Sequence, residues 1–295
     1  MHSGPGIRLS SLAGLALMAS SLAFAGNTTI SVSDRSDIND CSGISVKYDG
    51  QAAQRAEQTF TLPKTSNPVR VIAAQNGGVH VRGWDGNDYQ VIACKAAAAD
   101  VAIDQVQARA SGSEVTATGP ESGEWLVYFI VRAPRDASME LQATNGGIGL
   151  NRVSGTFRVN TTNGPISIKN PSGHIEAKAD NGPISFSGDQ GDLNLTARNG
   201  PISVTLAGTR WQGTGLKAAT VNGPVSLSLP RNYGSGVVVQ ASRHAPVSCD
   251  RDICGDQGST WENDKRIELG TNPVIHLSTT NGPVSVAPPE KKGKL

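Results

Sequence analysis

The stretch "TTNGPISIKN", residues 161–170, decides the fold of this chain. Asn-Gly between two apolar runs usually indicates a two-residue β-hairpin. The fourth residue of such a turn closes it by donating a backbone N–H, but here that residue is Pro165, which has no N–H to donate. Proline is tolerated at the first position of a strand. The stretch therefore predicts a corner that is followed by a new strand.

The stretch belongs to a regular repeat. Glycine recurs every nine residues at positions 146, 155, 164, 173, 182, 191 and 200. In each nine-residue unit the third and fifth residues are apolar and the fourth is never a large apolar residue, as in Ile184, Ser185 and Phe186. This alternation is typical of a short strand with one buried face. The residue before the glycine alternates between Asn and Ser or Gln, so the full repeat has 18 residues and two different corners.

An 18-residue repeat with two corners predicts an all-β fold, a parallel β-solenoid built from two-strand coils. Equivalent strands would stack about 4.8 Å apart, and asparagines at one corner would form a ladder of side-chain hydrogen bonds. These corner residues are Asn145, Asn163, Asn181 and Asn199. An antiparallel meander remains the alternative. A calcium-binding nonapeptide roll needs aspartates in register; they do not recur so here, and we expect no cofactor.

Residues 1–25 read as a signal peptide. A short segment with one basic residue, Arg8, precedes an apolar stretch that ends in Ala23-Phe24-Ala25, the pattern cut by signal peptidases. No later run approaches the ~20 apolar residues that a membrane-spanning helix needs. We therefore expect cleavage after Ala25 and a mature protein that is periplasmic or secreted, with no membrane span.

The rest of the chain divides by its regularity. Residues 27–143 are expected to form a β-rich cap, because stacked repeats need closed ends; "EWLVYFIVRAP", residues 124–134, predicts a buried strand within it. Residues 144–287 form the predicted solenoid, interrupted by an insertion at 228–275 where the period is lost. Residues 288–295 form a polar tail.

Charge and cysteines restrict the function. Without residues 1–25 the chain has 25 basic and 25 acidic residues, which argues against nucleic-acid binding, since that needs a basic patch. Four cysteines in an exported chain indicate disulfides. Cys249 and Cys254 are close in sequence and are predicted to pair, which leaves Cys41 with Cys94, although three connectivities are formally possible.

The sequence lacks the common motifs of catalysis and metal binding. The four histidines after the signal segment form no i, i+4 pair that would indicate a metal site, and neither a nucleophile elbow nor a phosphate-binding glycine loop occurs. Trp84, Trp125 and Trp211 lie outside the regular units and are expected in the cap or core, whereas Trp261 in the insertion could contact a ligand. We therefore expect no enzyme and no bound metal.

The two outer faces of the predicted solenoid differ. On the Asn-corner side the outward positions are proline and serine, which gives Ser167, Ser185, Ser203 and Ser226 as a candidate contact surface, extended by Ser285. On the opposite side the outward positions are mixed and charged, and Arg158 and Glu176 fall one strand apart, where they could pair. A flat face of small rigid residues loses little side-chain freedom on binding.

Two stretches support a family resemblance. "WLVYFIVRAPRDASMELQATNGGIGL", residues 125–150, followed by Asn-Gly units, and "VHVRGWDGNDYQVIACKA", residues 79–96, resemble the bacterial "putative adhesin" family with β-strand repeats, a family of unknown function. The resemblance covers roughly residues 66–287. It implies an exported, right-handed β-solenoid-like fold and an adhesin-like label, and it supplies no catalytic residues.

Together these features predict an exported, non-enzymatic β-repeat scaffold that contacts an envelope component, a surface protein or a glycan. The alternative is a carbohydrate-binding or carbohydrate-active solenoid with its site in the 228–275 insertion. A third hypothesis is a periplasmic accessory protein without a ligand. Carboxylates converging beside Trp261 would favour the second of these.

Overall fold

A computed structural model describes residues 22–23, 28–32, 38–242, 245–255 and 265–289. The predicted signal peptide lies outside these ranges apart from Leu22 and Ala23. Trp261 and the tail beyond residue 289 also lie outside them. Within the described part of the chain no helix is long and apolar enough to cross a bilayer.

The described elements are nearly all strands. Those of the N-terminal half are β1 (Leu22–Ala23), β2 (Thr29–Val32), β3 (Ile44–Tyr48), β4 (Gln51–Ala52), β5 (Gln54–Leu62), β6 (Val69–Ala73), β7 (Val79–Gly83), β8 (Tyr89–Ala97), β9 (Gln107–Ser111), β10 (Glu114–Thr118), β11 (Trp125–Ala133) and β12 (Ala137–Ala143). Those that follow are β13 (Ile148–Asn151), β14 (Gly155–Thr161), β15 (Ile166–Lys169), β16 (His174–Ala179), β17 (Ile184–Gly188), β18 (Gln190–Asn199), β19 (Ile202–Leu206), β20 (Gln212–Asn222), β21 (Val225–Ser228), β22 (Gly236–Ala241), β23 (Val247–Cys249), β24 (Arg266–Leu269), β25 (Pro273–Asn281) and β26 (Val284–Ala287). The described helices are two 3₁₀ turns, Cys41–Gly43 and Ile103–Gln105, and the single-turn α1, Arg251–Cys254.

Two 11-stranded sheets face each other, and the chain alternates between them. Sheet I has the spatial order β24-β22-β25-β20-β18-β16-β14-β12-β6-β10-β9, and sheet II has the order β23-β26-β21-β19-β17-β15-β13-β7-β11-β8-β5. From β12 to β19 each strand pairs in parallel with the strand two places further along the chain. Ile148, Ile166, Ile184 and Ile202 are successive register partners, 18 residues apart. The predicted parallel β-solenoid is therefore confirmed, and the antiparallel meander is wrong for these coils.

The core lies between the two sheets and follows from the two-residue alternation. Ile166, Ile184, Phe157 and Leu195 have no exposed surface, and Phe186 is 2% exposed. Each inward side chain lies above its register partner in the coil below, so one apolar column continues into the next. Burial of such side chains supplies most of the folding free energy, at roughly 1.5–3 kcal/mol each.

The glycine of each Asn-Gly corner is required by the coil beneath it. A Cβ added to Gly182 would lie 2.1 Å from the carbonyl oxygen of Gly164, and one added to Gly164 would lie 2.0 Å from that of Gly146. Neither Gly164 nor Gly182 has a positive φ, so crowding and not backbone angle excludes a side chain. The next residue is proline, whose carbonyl still accepts a sheet bond, as when the Ile166 N–H donates to Pro183 at 2.9 Å.

A small antiparallel sheet of β1 to β4 covers the outer face of sheet II at its N-terminal end. Ile44, Val46 and Tyr48 of β3 pack with Leu126 and Ile130 of β11. For this reason β11 is buried on both faces, as the unbroken apolar run "WLVYFIV" predicts.

Both predicted disulfides are present. Cys41–Cys94 joins the chain before β3 to β8 of sheet II, and Cys249–Cys254 joins the end of β23 to α1. The described residues contain no free cysteine. One disulfide therefore lies at each end of the stack.

At both ends of the stack, the order of the strands in space differs from their order along the chain. The coil of β6 and β7 lies between the later coils β10/β11 and β12/β13. At the other end the last coil, β25/β26, lies between β20/β21 and β22/β23. Within the segment predicted as an insertion, residues 228–275, β22 and β23 therefore continue the two sheets.

Candidate functional site: the outer faces of the solenoid

The outer face of sheet II carries two adjoining columns, one of proline and one of serine. The serines are register partners from coil to coil in the order Ser167, Ser185, Ser203, Ser226, Ser285 and Ser248. The prolines two residues before them are Pro165, Pro183, Pro201, Pro224, Pro283 and Pro246. Six strands spaced about 4.8 Å apart make this surface roughly 24 Å long. We call it the Pro/Ser face.

The side chains of the Pro/Ser face are small, uncharged and near solvent. Ser185, Ser248 and Ser285 are exposed, and the other three serines are half-buried. The Ser226 hydroxyl donates to the Ser203 hydroxyl at 3.0 Å, so this pair of neighbouring serines is bonded along the column. The proline rings are fixed and the serine side chains are short, so the surface has little rotamer freedom to lose.

Ser248 and Pro246 were missed as members of this face. The sequence there reads "APVS", with alanine where the other corners have glycine, so the Asn-Gly-Pro pattern does not include it. The shorter signal Pro-Val-Ser, shared with residues 224–226 and 283–285, would have found it. The structure pairs Ser248 with Ser285 in β26.

The face ends at the small N-terminal sheet. The serine column continues to Gly149 of β13 and then to His80 of β7. A Cβ added to Gly149 would lie 2.8 Å from Nδ1 of His80, so the imidazole lies over this glycine. Beyond His80 the register reaches Ile130, which the small sheet buries. The uncharged surface is therefore bounded by a histidine on one side and by the end of the stack on the other.

Asparagines at the corners beside this face form one continuous ladder. Each side-chain amide donates from Nδ2 to Oδ1 of the asparagine in the preceding coil at 2.8–3.2 Å, through Asn76, Asn145, Asn163, Asn181, Asn199, Asn222 and Asn281. All bonds run in the same direction. The ladder includes the four asparagines named from the sequence and extends beyond them at both ends.

Sheet I presents a charged outer face. One column runs through Glu114, Arg70, Glu140, Arg158 and Glu176 as register partners. Arg70 approaches both neighbours, with Nη1 2.9 Å from Glu114 Oε2 and Nε 3.3 Å from Glu140 Oε2. The pair expected from the sequence, Arg158 and Glu176, has a separation of 3.8 Å from Nε to Oε2. Signs alternate along the column, so neighbouring strands attract each other in this register.

Glu176 has further partners. Lys178 Nζ lies 2.5 Å from Glu176 Oε1, and this hydrogen-bonded ammonium, together with Arg158, lowers the pKa of Glu176 below its ordinary value. In the adjoining column His174 Nδ1 lies 2.9 Å from Asp192 Oδ2. A shallow depression of about 270 Å³ lies beside Lys178 and is lined mainly by amide and hydroxyl side chains such as Gln142, Asn160 and Thr162.

The three described tryptophans make hydrogen bonds to nearby backbone carbonyls. Trp125 and Trp211 are buried, and their indole N–H groups donate to the carbonyls of Pro120 at 2.9 Å and Gly191 at 3.1 Å. The Trp84 N–H donates to Asp88. These bonds assign the three tryptophans to local structure.

Where a pKa is shifted, it moves further from neutral pH. Burial raises the pKa of Tyr48, Tyr89 and Tyr128, and it raises that of Tyr233 to about 12, with the Asp189 carboxylate adding to the shift. Hydrogen bonds from Ser42 lower the pKa of Asp40. Each of these groups keeps near pH 7 the charge state that it has in water. Among the described residues no three His, Cys, Asp or Glu side chains are grouped as metal ligands would be.

The fold and its surfaces define a class: a two-sheet parallel β-solenoid with disulfides at its ends and extended outer faces. The chain belongs to the Toastrack DUF4097 family, whose model matches residues 23–244. The resemblance drawn from the sequence, to a domain family of unknown function, is confirmed at that level. No curated protein matches the chain.

Solved structures with a remote likeness include three bacterial proteins. A "putative cell adhesion protein" of Clostridium sporogenes has 10% identity and a TM-score of 0.33, with 80% of this chain and 100% of that chain covered. A "putative adhesin" of Bacteroides fragilis has 8% identity and a TM-score of 0.31, with 80% and 97% covered. A "putative lipid binding protein" of Parabacteroides distasonis has 11% identity and a TM-score of 0.32, with 79% and 97% covered. Likeness of this degree gives no information on what the present chain binds.

Proposed function

We propose that this protein is an extracytoplasmic, non-enzymatic scaffold that binds a component of the cell envelope or cell surface, a protein or a glycan, through the Pro/Ser face. The observation that carries the proposal is the face itself: six coils repeat proline and serine in register, with no charged side chain at those positions. The opposite face has the mixed, charged composition of an ordinary solvated surface.

The proposed compartment is supported by the cysteines and by the predicted signal peptide. All four cysteines are paired in two disulfides, which persist in oxidising environments outside the cytoplasm.

The test is a double substitution, Ser185→Arg with Ser203→Arg, which places two long charged side chains in the middle of the face. The matched control is Asn160→Arg with Asn194→Arg, at exposed positions on sheet I. Purified mature protein is assayed on a glycan array and on intact cells. We expect the serine variant to lose at least tenfold in binding while the control binds like wild type.

If the serine variant keeps its circular dichroism spectrum and binds like wild type, the face has only a structural role. The segment 228–275 would then become the better candidate, in agreement with the carbohydrate-site alternative. Loss of binding in both double variants would show that added positive charge and not the position causes the effect.

A further inference from the structure

Every Asn-Gly dipeptide of the chain lies in the asparagine ladder. The asparagines are Asn76, Asn145, Asn163, Asn181, Asn199, Asn222 and Asn281, and glycine follows each of them. Both residues are needed at a corner. The asparagine forms the ladder, and the glycine avoids a clash with the neighbouring coil, since a Cβ on Gly182 would lie 2.1 Å from the Gly164 carbonyl oxygen. The fold therefore requires repeatedly the dipeptide that is most prone to lose ammonia.

The lability of Asn-Gly lies in the backbone nitrogen of the glycine, which has no side chain beside it to obstruct its approach. This nitrogen attacks Cγ of the asparagine, so that a bond from N to Cγ forms and the bond from Cγ to Nδ2 breaks. The proton of the attacking amide leaves with Nδ2 as part of ammonia, and a cyclic succinimide remains. Water then opens the ring at one of its two carbonyls and gives aspartate or isoaspartate. The net reaction replaces ammonia by water and needs no oxidant or reductant.

The ladder opposes the first step of this reaction. Ring closure turns Cγ toward the following nitrogen, which takes the carboxamide away from its hydrogen-bond partners. An interior asparagine such as Asn181 has two partners in the ladder: its Nδ2 donates to Asn163 at 3.0 Å, and its Oδ1 accepts from Asn199 at 2.9 Å. An asparagine at an end of the ladder has one such bond to break, and it should react faster.

The two ends of the ladder differ in exposure. Asn76 is half-buried, and the N–H of the buried Gly77 donates to the Ala74 carbonyl at 2.9 Å, so the attacking nitrogen is engaged. Asn281 is exposed. Within the described part of the chain, its one bond in the ladder runs from Nδ2 to Asn222 Oδ1 at 2.9 Å. Asn281 is therefore the more reactive end.

The direction of the ladder decides what each product does to the next coil. Both products carry a carboxylate in place of the amide, and an ionised carboxylate only accepts hydrogen bonds. At position 281 the product can no longer donate to Asn222, so Asn222 becomes the new end of the ladder. At position 76 an aspartate would still accept from Asn145, as Asn76 does at 3.2 Å, and the ladder would remain intact.

We propose that Asn281 is the entry site for spontaneous deamidation of the folded protein, and that the reaction then advances along the ladder through Asn222 to Asn199. Each step removes an amide that donates to the neighbouring coil, and so deprives the next asparagine of one of its two bonds. The C-terminal coil β25/β26 is then the first coil to be modified. This inference does not depend on the function of the Pro/Ser face.

The wild-type protein tests the order of reaction without any substitution. Purified mature protein is incubated in mildly alkaline buffer, and deamidation at each Asn-Gly site is followed over time by peptide mapping with mass spectrometry. The same measurement in urea gives the intrinsic rate of each site, which corrects for the residue after the glycine: glycine at Asn76 and Asn145, and proline at the others.

Relative to these intrinsic rates, we expect Asn281 to react roughly fivefold faster than the interior asparagines, the factor that one neutral hydrogen bond supplies. Asn222 should follow after a lag. An interior asparagine that reacts first, or equal relative rates at all sites, would overturn the proposal.

Two substitutions test the direction of advance. Asn281→Asp imitates the product at the exposed end and should raise the rate at Asn222 roughly fivefold, without a lag. Asn76→Asp is the matched control at the other end and should leave the rate at Asn145 unchanged. Circular dichroism checks the fold of both variants, and if either does not fold, the wild-type time course still decides.

An unchanged rate at Asn222 in folded Asn281→Asp would refute the advance along the ladder. A faster reaction at Asn145 in folded Asn76→Asp would refute its direction.

Discussion

The regular coils between residues 144 and 206 and the C-terminal coils between 212 and 287 share their side-chain columns but differ in chain order. In the first region each coil stacks on the one that precedes it in sequence. In the second the last coil lies between two earlier ones. The asparagine ladder and the serine column pass through both regions without a break. The same columns therefore run through the stack whether or not neighbouring coils are consecutive in the chain.

The largest effect should follow from breaking an inward column in the regular region. Ile184→Asp places a carboxylate at a position with no exposed surface, between Ile166 and Ile202. An unpaired buried charge costs more than a domain of ordinary stability can supply. We expect no cooperative thermal transition by circular dichroism, whereas Ser185→Asp, one residue away on the exposed face, should melt close to wild type. A wild-type melting curve for Ile184→Asp would show that this position does not face the core.

Next in size are the two disulfides, which lie at the two ends of the stack. Cys41 and Cys94 are 53 residues apart, and Cys249 and Cys254 are five apart. Chain-entropy arguments give roughly 4 kcal/mol for the longer loop and roughly 2 kcal/mol for the shorter one. Replacing each pair by serine should lower the free energy of unfolding in that order, as measured by urea denaturation. A larger loss of unfolding free energy on removing Cys249–Cys254 would mean that this disulfide stabilises the edge strand β23 in addition to its effect on loop closure.

The strand period, the parallel stacking and the ladder were predictable because short sequence patterns determine them, such as the one formed by Asn163, Gly164 and Ile166. Chain order at the C-terminal end was not predictable in this way. The stretches "APVS" and "GPVS" look alike in sequence, and neither indicates which of the two coils lies inside the stack. The small sheet over β11 was not predicted either, since its short strands lack a repeat.

Among the candidate site residues, the serines were identified correctly as one column, because register fixes them whenever the coils stack. Their role in binding stays a prediction. Ser248 was missed because its corner has alanine in place of glycine. The alternating charges from Glu114 to Glu140 were missed because β6 and β10 fall outside the 18-residue period and come together only by the reordering at the N-terminal end.

A third effect should appear at the corners. Gly182→Ala places a Cβ 2.1 Å from the Gly164 carbonyl oxygen in the regular region. Relief requires the coils to separate at that corner, at a cost of about 3 kcal/mol, the upper part of the range for overpacking. Gly234→Ala is the matched control, since the nearest atom to its Cβ, the Thr209 carbonyl oxygen, is 3.4 Å away and its φ is not positive. Equal free energies of unfolding for the two variants, measured by urea denaturation, would contradict the prediction that crowding excludes a side chain at Gly182.

The smallest effect should come from the charged column of sheet I, through Glu176. Lys178 first and Arg158 second hold the pKa of this carboxylate below its ordinary value. A lowered folded-state pKa means that the stabilising contribution is present above the unfolded pKa, about 4.3, and is lost as the pH falls through the folded pKa. The side chain of Glu176 is 30% exposed and its partners are more than half exposed, so solvent screening limits the contribution to about 1 kcal/mol at most.

Glu176→Gln should therefore lower the free energy of unfolding slightly at pH 7 in dilute buffer, and the difference from wild type should shrink both below pH ~4 and in ~1 M salt. A difference that persists in high salt would mean that the glutamate acts through its shape and hydrogen bonds, and that the two outer faces of the solenoid differ less in electrostatics than their sequences indicate.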